Sequence, residues 1–194
     1  MSTVPRTGFT LVELLVAIII SSILIGVTVQ TYTLFRKAVV QDESRSQLNQ
    51  NGRVALDRLT REIRLTPELL TIFPANVADN SVVQPEEIEF QDGYVSVMDT
   101  SYLTYHRYYL NGTTLELDIK QYYFASQPTV RVDAASVDSS NNPPISQIIS
   151  TQAIAQEVSS FNLYGRKPLQ IVLTTSDNFN QLYPLRSNVT GRNI

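Results

Sequence analysis

Gly8-Phe9-Thr10-Leu11-Val12-Glu13 leads into an apolar run, and residues 14–35 contain no Asp, Glu, Lys or Arg. At about 1.5 Å per residue that run makes a helix of roughly 33 Å, enough to cross a bilayer core of about 30 Å. A carboxylate at the head of such a helix costs about 2.5–3.5 kcal/mol in lipid unless something pairs with it. A simple anchor has no use for that charge, so Glu13 requires a partner. Gly26 interrupts the run, and Gln30, Thr31 and Thr33 make its far end more polar.

The bulk composition narrows the rest. A chain of 194 residues holds an anchor and one modest domain. Its net charge of −3 gives no push toward nucleic acid or an anionic membrane. The absence of Cys excludes disulfides, thiolate nucleophiles and Cys-ligated metals, and leaves the redox compartment open. A secretory signal peptide would have a shorter apolar segment and a small-residue cleavage site, and no such site follows before Arg36. Positive-inside counting sets Arg6 and the initial amine against Arg36 and Lys37, which slightly favours the wrong orientation for an exported domain.

Gly8-Phe9-Thr10-Leu11-Val12-Glu13-Leu14-Leu15-Val16-Ala17-Ile18 resembles the class III leader of type IV pilins and type II secretion pseudopilins. The resemblance implies that a prepilin peptidase removes residues 1–8 by cutting between Gly8 and Phe9, and that Phe9 is then N-methylated. It also implies that the apolar segment stays on the mature protein and that Glu13 pairs with the Phe9 amine of a neighbouring subunit. The new amine has a reference pKa near 8 and is largely positive at neutral pH. A buried ion pair of this kind adds little stability but fixes register well. Major pilins of the family usually carry Pro at the position of Gln30 and a carboxy-terminal Cys pair. Both departures point to a minor subunit.

Beyond the membrane the helix is expected to continue. Leu48, Gly52, Ala55, Leu56, Leu59 and Ile63 form one apolar stripe at spacings of three and four. Asp57–Arg61 and Arg58–Glu62 fall at i,i+4 on the polar side, worth about 0.2–0.5 kcal/mol each. Arg61 and Arg64 suit the end of the helix dipole, and Thr66-Pro67 stops it. A helix from about residue 9 to 65 would run to roughly 85 Å. The Arg-rich face of Arg53, Arg58, Arg61 and Arg64 reads as solvated surface rather than a nucleic-acid contact. Residues 52–64 also resemble the amphipathic half of W-type minor pilins and J-type minor pseudopilins, whose helix is followed by a β-rich domain.

From residue 66 onward strand signals replace helical ones. Residues 87–90 alternate, Asp92-Gly93 supplies a turn, and 94–98 run back. Asn111-Gly112 predicts a hairpin between 103–110 and 113–124. In the outgoing strand Leu115, Leu117 and Ile119 alternate with Glu116, Asp118 and Lys120, giving one buried and one wet face. Residues 126–142 read as polar and interrupted. Residues 158–163 and 169–174 read as two more strands joined through Gly165 and Pro168. Those strands and 185–193, ending in Arg192-Asn193, again resemble the closing strands of the W-type and J-type subunits. The fold class expected is α+β and pilin-like, a long amino-terminal helix packed on an antiparallel β-rich domain. Its divisions are 1–8 leader, 9–35 transmembrane and assembly half, 36–66 amphipathic half and 67–194 β-rich domain.

The domain offers little chemistry. His106 stands without a second His or Cys and reads as a surface or half-buried polar residue, not a ligand or base. Asp133, Asp138, Asn141 and Asn142 match no calcium-loop spacing and read as a solvated loop. Tyr102, Tyr105, Tyr108, Tyr109, Tyr122 and Tyr123, beside Arg107 and Lys120, are either sheet packing or an aromatic binding face. No catalytic constellation, cofactor motif or metal set is present in the sequence. Two functions remain open. The first is a structural minor pilin or pseudopilin, anchored in the inner membrane and then built into a filament with other pilin-like subunits at a membrane assembly platform. The second is a pilus-associated, membrane-anchored binding protein, an adhesin or DNA-uptake factor, that uses the tyrosine-rich sheet.

Overall fold

The computed structural model describes residues 10–75, 85–93, 103–165, 167–177 and 180–190. The chain divides into two compact units, Met1–Arg45 and Ser46–Ile194. Helix α1 (Leu11–Leu65) contributes to both. In the first unit every described residue of the apolar run is exposed. In the second unit the helix buries Leu48, Gly52, Ala55, Leu56, Leu59, Thr60 and Ile63. That is the stripe of threes and fours expected from the sequence, with Thr60 added. Pro67 ends α1, and the preceding Thr66 turns its hydroxyl onto the Gln91 carbonyl at 2.6 Å.

Among the described residues eight strands follow and form two antiparallel sheets. The first sheet contains β1 (Glu87–Gln91), β2 (Tyr105–Asn111), β3 (Thr114–Phe124), β4 (Gln127–Val132) and β5 (Ile145–Ala155). The order is β1-β2-β3-β4, and β5 lies on the other side of β3. The second sheet runs β6 (Val158–Tyr164), β7 (Leu169–Ser176) and β8 (Leu182–Val189). One core joins them: Ala55, Leu56, Leu59 and Ile63 of the helix meet Ile88, Phe90, Leu115 and Leu117 of the first sheet and Phe161, Leu163, Ile171 and Leu173 of the second. A Cβ added at Gly52 would lie 2.4 Å from Leu185 Cδ1, so the missing side chain lets α1 sit close on the second sheet. The arrangement is α+β, as expected.

Three local expectations need correction. The hairpin turn sits one residue further along: Asn111 pairs with Thr114 and Gly112 takes φ 61° as the first turn residue. A type II′ turn requires a glycine there. Residues 126–142 include β4, and β5 is an eleven-residue strand where none was expected. Both strands are mostly exposed, so neither shows the alternation by which a half-buried strand is recognised. Finally, the second face of β3 is not wet. Asp118 is 1% exposed and Lys120 9%: Asp118 lies against Arg107 of β2 and Thr151 of β5, and Lys120 reaches Glu89 of β1. The strand expected over 94–98, together with Tyr102 and Arg192-Asn193, lies outside the described residues.

Candidate functional site

The start of α1 is a capping box. Thr10 precedes the first helical residue, and its backbone N–H and hydroxyl both donate to Glu13 Oε2, at 2.9 and 3.0 Å. In return the Glu13 N–H donates to Thr10 Oγ1 at 3.3 Å. The Thr-x-x-Glu pattern satisfies two orphan donors of the helix terminus reciprocally. The Thr-x-x-Glu spacing carries that signal in the sequence, and it gives Thr10 a role that the charge of Glu13 alone does not reveal. Only one carboxylate oxygen is used: among the described residues Oε1 receives no bond. Gly8 and Phe9 lie outside the described residues.

Below Glu13 the helix surface carries a shallow groove lined by Glu13, Leu14, Ala17, Ile18, Ser21, Ser22 and Ile25. Its floor is small because Ala17, Ser21 and Ser22 sit between larger residues. The hydroxyls in the run are turned inward. Ser22, Thr28 and Thr31 donate to the carbonyls of Ile18, Leu24 and Val27 at 2.8, 2.8 and 2.9 Å. A hydroxyl bonded to the carbonyl four residues earlier presents little polarity to its surroundings. The helix is long and apolar enough to cross a membrane, and its most apolar window has no buried residue. An apolar surface of that size needs lipid or other helices around it.

In the second unit many of the described charged groups pair with one another. Glu62 is the centre of one cluster: Oε2 accepts from Tyr108 OH at 2.8 Å and His106 Nδ1 at 2.9 Å, and Oε1 from Arg58 Nε at 3.0 Å. A carboxylate only accepts, so Nδ1 of His106 carries the proton. Burial pushes the Glu62 carboxyl up, but the bonds from His106, Tyr108 and Arg58 outweigh it and hold it below the usual range. Burial and the adjacent carboxylate raise Tyr108 well above an ordinary phenol. The Arg58–Glu62 pair was expected on the polar side; Glu62 turns instead toward the sheet, because it borders the stripe formed by Leu59 and Ile63. Among the described residues Asp57 and Arg61 make no ion pair.

A second cluster lies on the opposite face of the first sheet. Arg107 bonds Glu87 through Nε at 2.9 Å and through Nη2, and its Nη1 is 3.7 Å from Asp118. Asp118 also accepts from Thr151 Oγ1 at 2.6 Å. Lys120 Nζ donates to Glu89 at 2.8 Å and stands 5.3 Å over the Tyr122 ring. Three of the six tyrosines singled out go to packing: Tyr105 and Tyr108 are fully buried, Tyr105 meets Tyr122 edge-on at 5.0 Å, and Tyr108 stacks on Phe90 at 6.0 Å. Tyr105 is pushed up to about 12, chiefly by burial. Asp138 spends its oxygens on its own loop, accepting from the N–H groups of Ser140 and Asn142 at 2.8 Å each. These contacts give His106, Tyr105, Tyr108, Tyr122, Arg107, Lys120 and Asp138 partners within the protein.

Residues 5–29 match the family model described as the prokaryotic N-terminal methylation motif. No curated protein and no solved structure matches the chain. The matched segment contains Gly8, Phe9, the Thr10–Glu13 box and the start of the exposed apolar helix. It supports a type IV pilin-like subunit, a structural class processed by a prepilin peptidase and assembled with other pilin-like chains. The motif and the apolar helix together fit an anchor in the inner membrane that later enters a filament.

Proposed function

We propose that the chain is a minor subunit of a type IV pilus or of a related secretion pseudopilus. The observation that carries this is the apolar half of α1, fully exposed over residues 10–40 and headed by a carboxylate. Prepilin peptidase cleaves between Gly8 and Phe9, Phe9 is methylated, and the helix waits in the inner membrane. Assembly moves it from lipid into a bundle of neighbouring helices. Glu13 and the small residues Ala17 and Ser21 share one side of the helix, so a neighbour seated in that groove brings its own terminus near the carboxylate. Oε2 stays with the cap while Oε1 takes the neighbour's Phe9 amine. The absence of Cys and the presence of Gln30 favour the minor role.

The test compares Glu13→Ala with Thr10→Val. Thr10→Val removes the hydroxyl half of the cap, worth about 1 kcal/mol, and leaves the carboxylate with the Thr10 N–H. Glu13→Ala removes the carboxylate and the two bonds it accepts, and leaves the residue-13 N–H bonded to the Thr10 hydroxyl. Both variants should still be cleaved before Phe9 and remain in the membrane, and only Glu13→Ala should be lost from sheared filaments. Equal loss of the two would reduce Glu13 to a capping residue. Mass spectrometry of the mature chain should find methylated Phe9 first.

A further inference from the structure

Among the described residues β5 pairs with β3 alone, and no strand pairs with its outer edge, a row of backbone donors and acceptors. From residue 145 to 152 every residue except Ser150 is exposed, on both faces of the strand. Ile145, Ile148 and Ile149 are 47%, 52% and 49% exposed. Sheet edges of this kind are normally blunted by charge, proline, bulges or a covering segment, because they template pairing with another chain.

The other edges of this protein are blunted. Residues 68–71 cover β1, with Leu70 N–H donating to Glu89 O at 2.9 Å and Gln91 N–H to Glu68 O at 3.0 Å. Strand β4 contains Pro128 and Arg131, and β8 contains Pro184 and Arg186. The ends of β6 are tied by Val158 N–H to Thr113 O at 2.9 Å and Gly165 N–H to Pro74 O at 2.7 Å. By contrast β5 has no proline, and residues 139–156 contain no Asp, Glu, Lys or Arg. Its protective features are two bulges, at Ile149, since Ile119 pairs with Ser150 and Lys120 with Ile148, and at Ile154, since Leu115 pairs with Ala155 and Glu116 with Ala153. The bulges leave the regular stretch Ile145–Ile148 open.

We propose that this stretch is a self-pairing seam, where β5 of a second copy adds antiparallel across a twofold axis. A second copy is the occupant because it supplies an equally unblunted edge. Pairing β5 with another described edge of the chain would meet Pro128, Pro184, the segment over β1, or the ends of β6 tied to Thr113 and Pro74. An isologous strand pair also sets each side chain against those of its own copy, so a charged strand repels itself across the axis. An uncharged one does not. Either Ser146 or Gln147 then stands on the axis and faces itself. The seam would join two first sheets into one, and it holds whether or not the chain enters a filament.

The chain has no Cys, so one introduced thiol is unambiguous. Cβ atoms directly opposite in an antiparallel pair are about 4.5–5.5 Å apart, close enough to be drawn into a disulfide, whereas diagonal neighbours are not. The full chain, extracted in detergent with Ser146→Cys or Gln147→Cys, is treated with a mild thiol oxidant and run without reductant. One of the two should give a covalent dimer of twice the chain mass, at least tenfold more than Thr129→Cys on exposed β4. Adding Ile148→Lys, at an exposed position where folding is not at stake, should abolish it. Dimer no greater than from Thr129→Cys, dimer that survives Ile148→Lys, or a thiol adduct to a different chain would each overturn the seam.

Discussion

Replacing Glu62 tests what holds the second half of α1 to the first sheet. Tyr108 is fully buried, so its hydroxyl has no water to turn to when the acceptor is lost. Hydrogen bonds to a charged group contribute about 1.5–3 kcal/mol each, against about 1 for neutral pairs. Glu62→Gln keeps a single acceptor oxygen for Tyr108 and His106 and loses the charge, at a cost of about 2–3 kcal/mol. The Arg58 bond adds little, because that side chain is 41% exposed and screened. All core residues lie within Ser46–Ile194, so that segment is a suitable fragment for thermal unfolding followed by circular dichroism. At about 2–4 °C per kcal/mol for a unit of this size, Tm should fall by roughly 4–12 °C. Asp57→Asn, one turn earlier and exposed, should change Tm by less than about 2 °C. Tyr108→Phe combined with Glu62→Gln should cost less than the two single changes added, since they share a bond. A shift under about 1 °C for Glu62→Gln, or strict additivity with Tyr108→Phe, would refute the role given to this cluster.

The same residue predicts a pH dependence. Because the folded Glu62 carboxyl is held below its ordinary range, its contribution is complete above the unfolded pKa, about 4.3, and disappears as pH falls through the folded value. The Tm gap between wild type and Glu62→Gln should therefore be full at pH 7 and shrink below about pH 4.3; a gap that widened in acid would reverse the sign. Gly93→Ala should be severe, since a Cβ there would lie 2.0 Å from the Leu65 carbonyl oxygen, a backbone atom that cannot yield. Overpacking of this kind costs about 1–3 kcal/mol, measurable as a lower denaturant midpoint at unchanged slope. Glu89→Ala strands Lys120 and the Tyr122 hydroxyl and should cost about 3–5 kcal/mol, whereas Glu89→Ala with Lys120→Met should recover part of the loss in a chemical denaturation series.

The parts of this protein legible in the sequence are those where one period dominates. The buried stripe of α1 repeats every three to four residues, and the Asn111-Gly112 pair marks the hairpin. Strand β5 was not legible because it is held by backbone pairing to β3, and backbone bonds leave no pattern in side chains. Glu62 was misplaced for a related reason. Its i,i+4 relation to Arg58 explained it locally, so its position at the border of the apolar stripe went unused. Asp118 and Lys120 looked solvated because alternation says only which face a residue points to, never whether that face is covered. Thr10 could have been found, since Thr-x-x-Glu at a helix start has a known mechanism.

The row Glu89, Arg107, Asp118 and Thr151 crosses four strands in direct register, from β1 through β2 and β3 to β5. Apolar alternation rejects a slip of one residue, because every core side chain would move to the other face. It is blind to a slip of two. The charges supply that second check. A two-residue slip of β2 along β3 in one direction sets Arg107 against Lys120, and in the other it moves Arg107 opposite the half-buried Glu116 and leaves the buried Asp118 facing Tyr105. The row thus acts as a second register check, and the native frame is the one in which the buried Asp118 faces a cation.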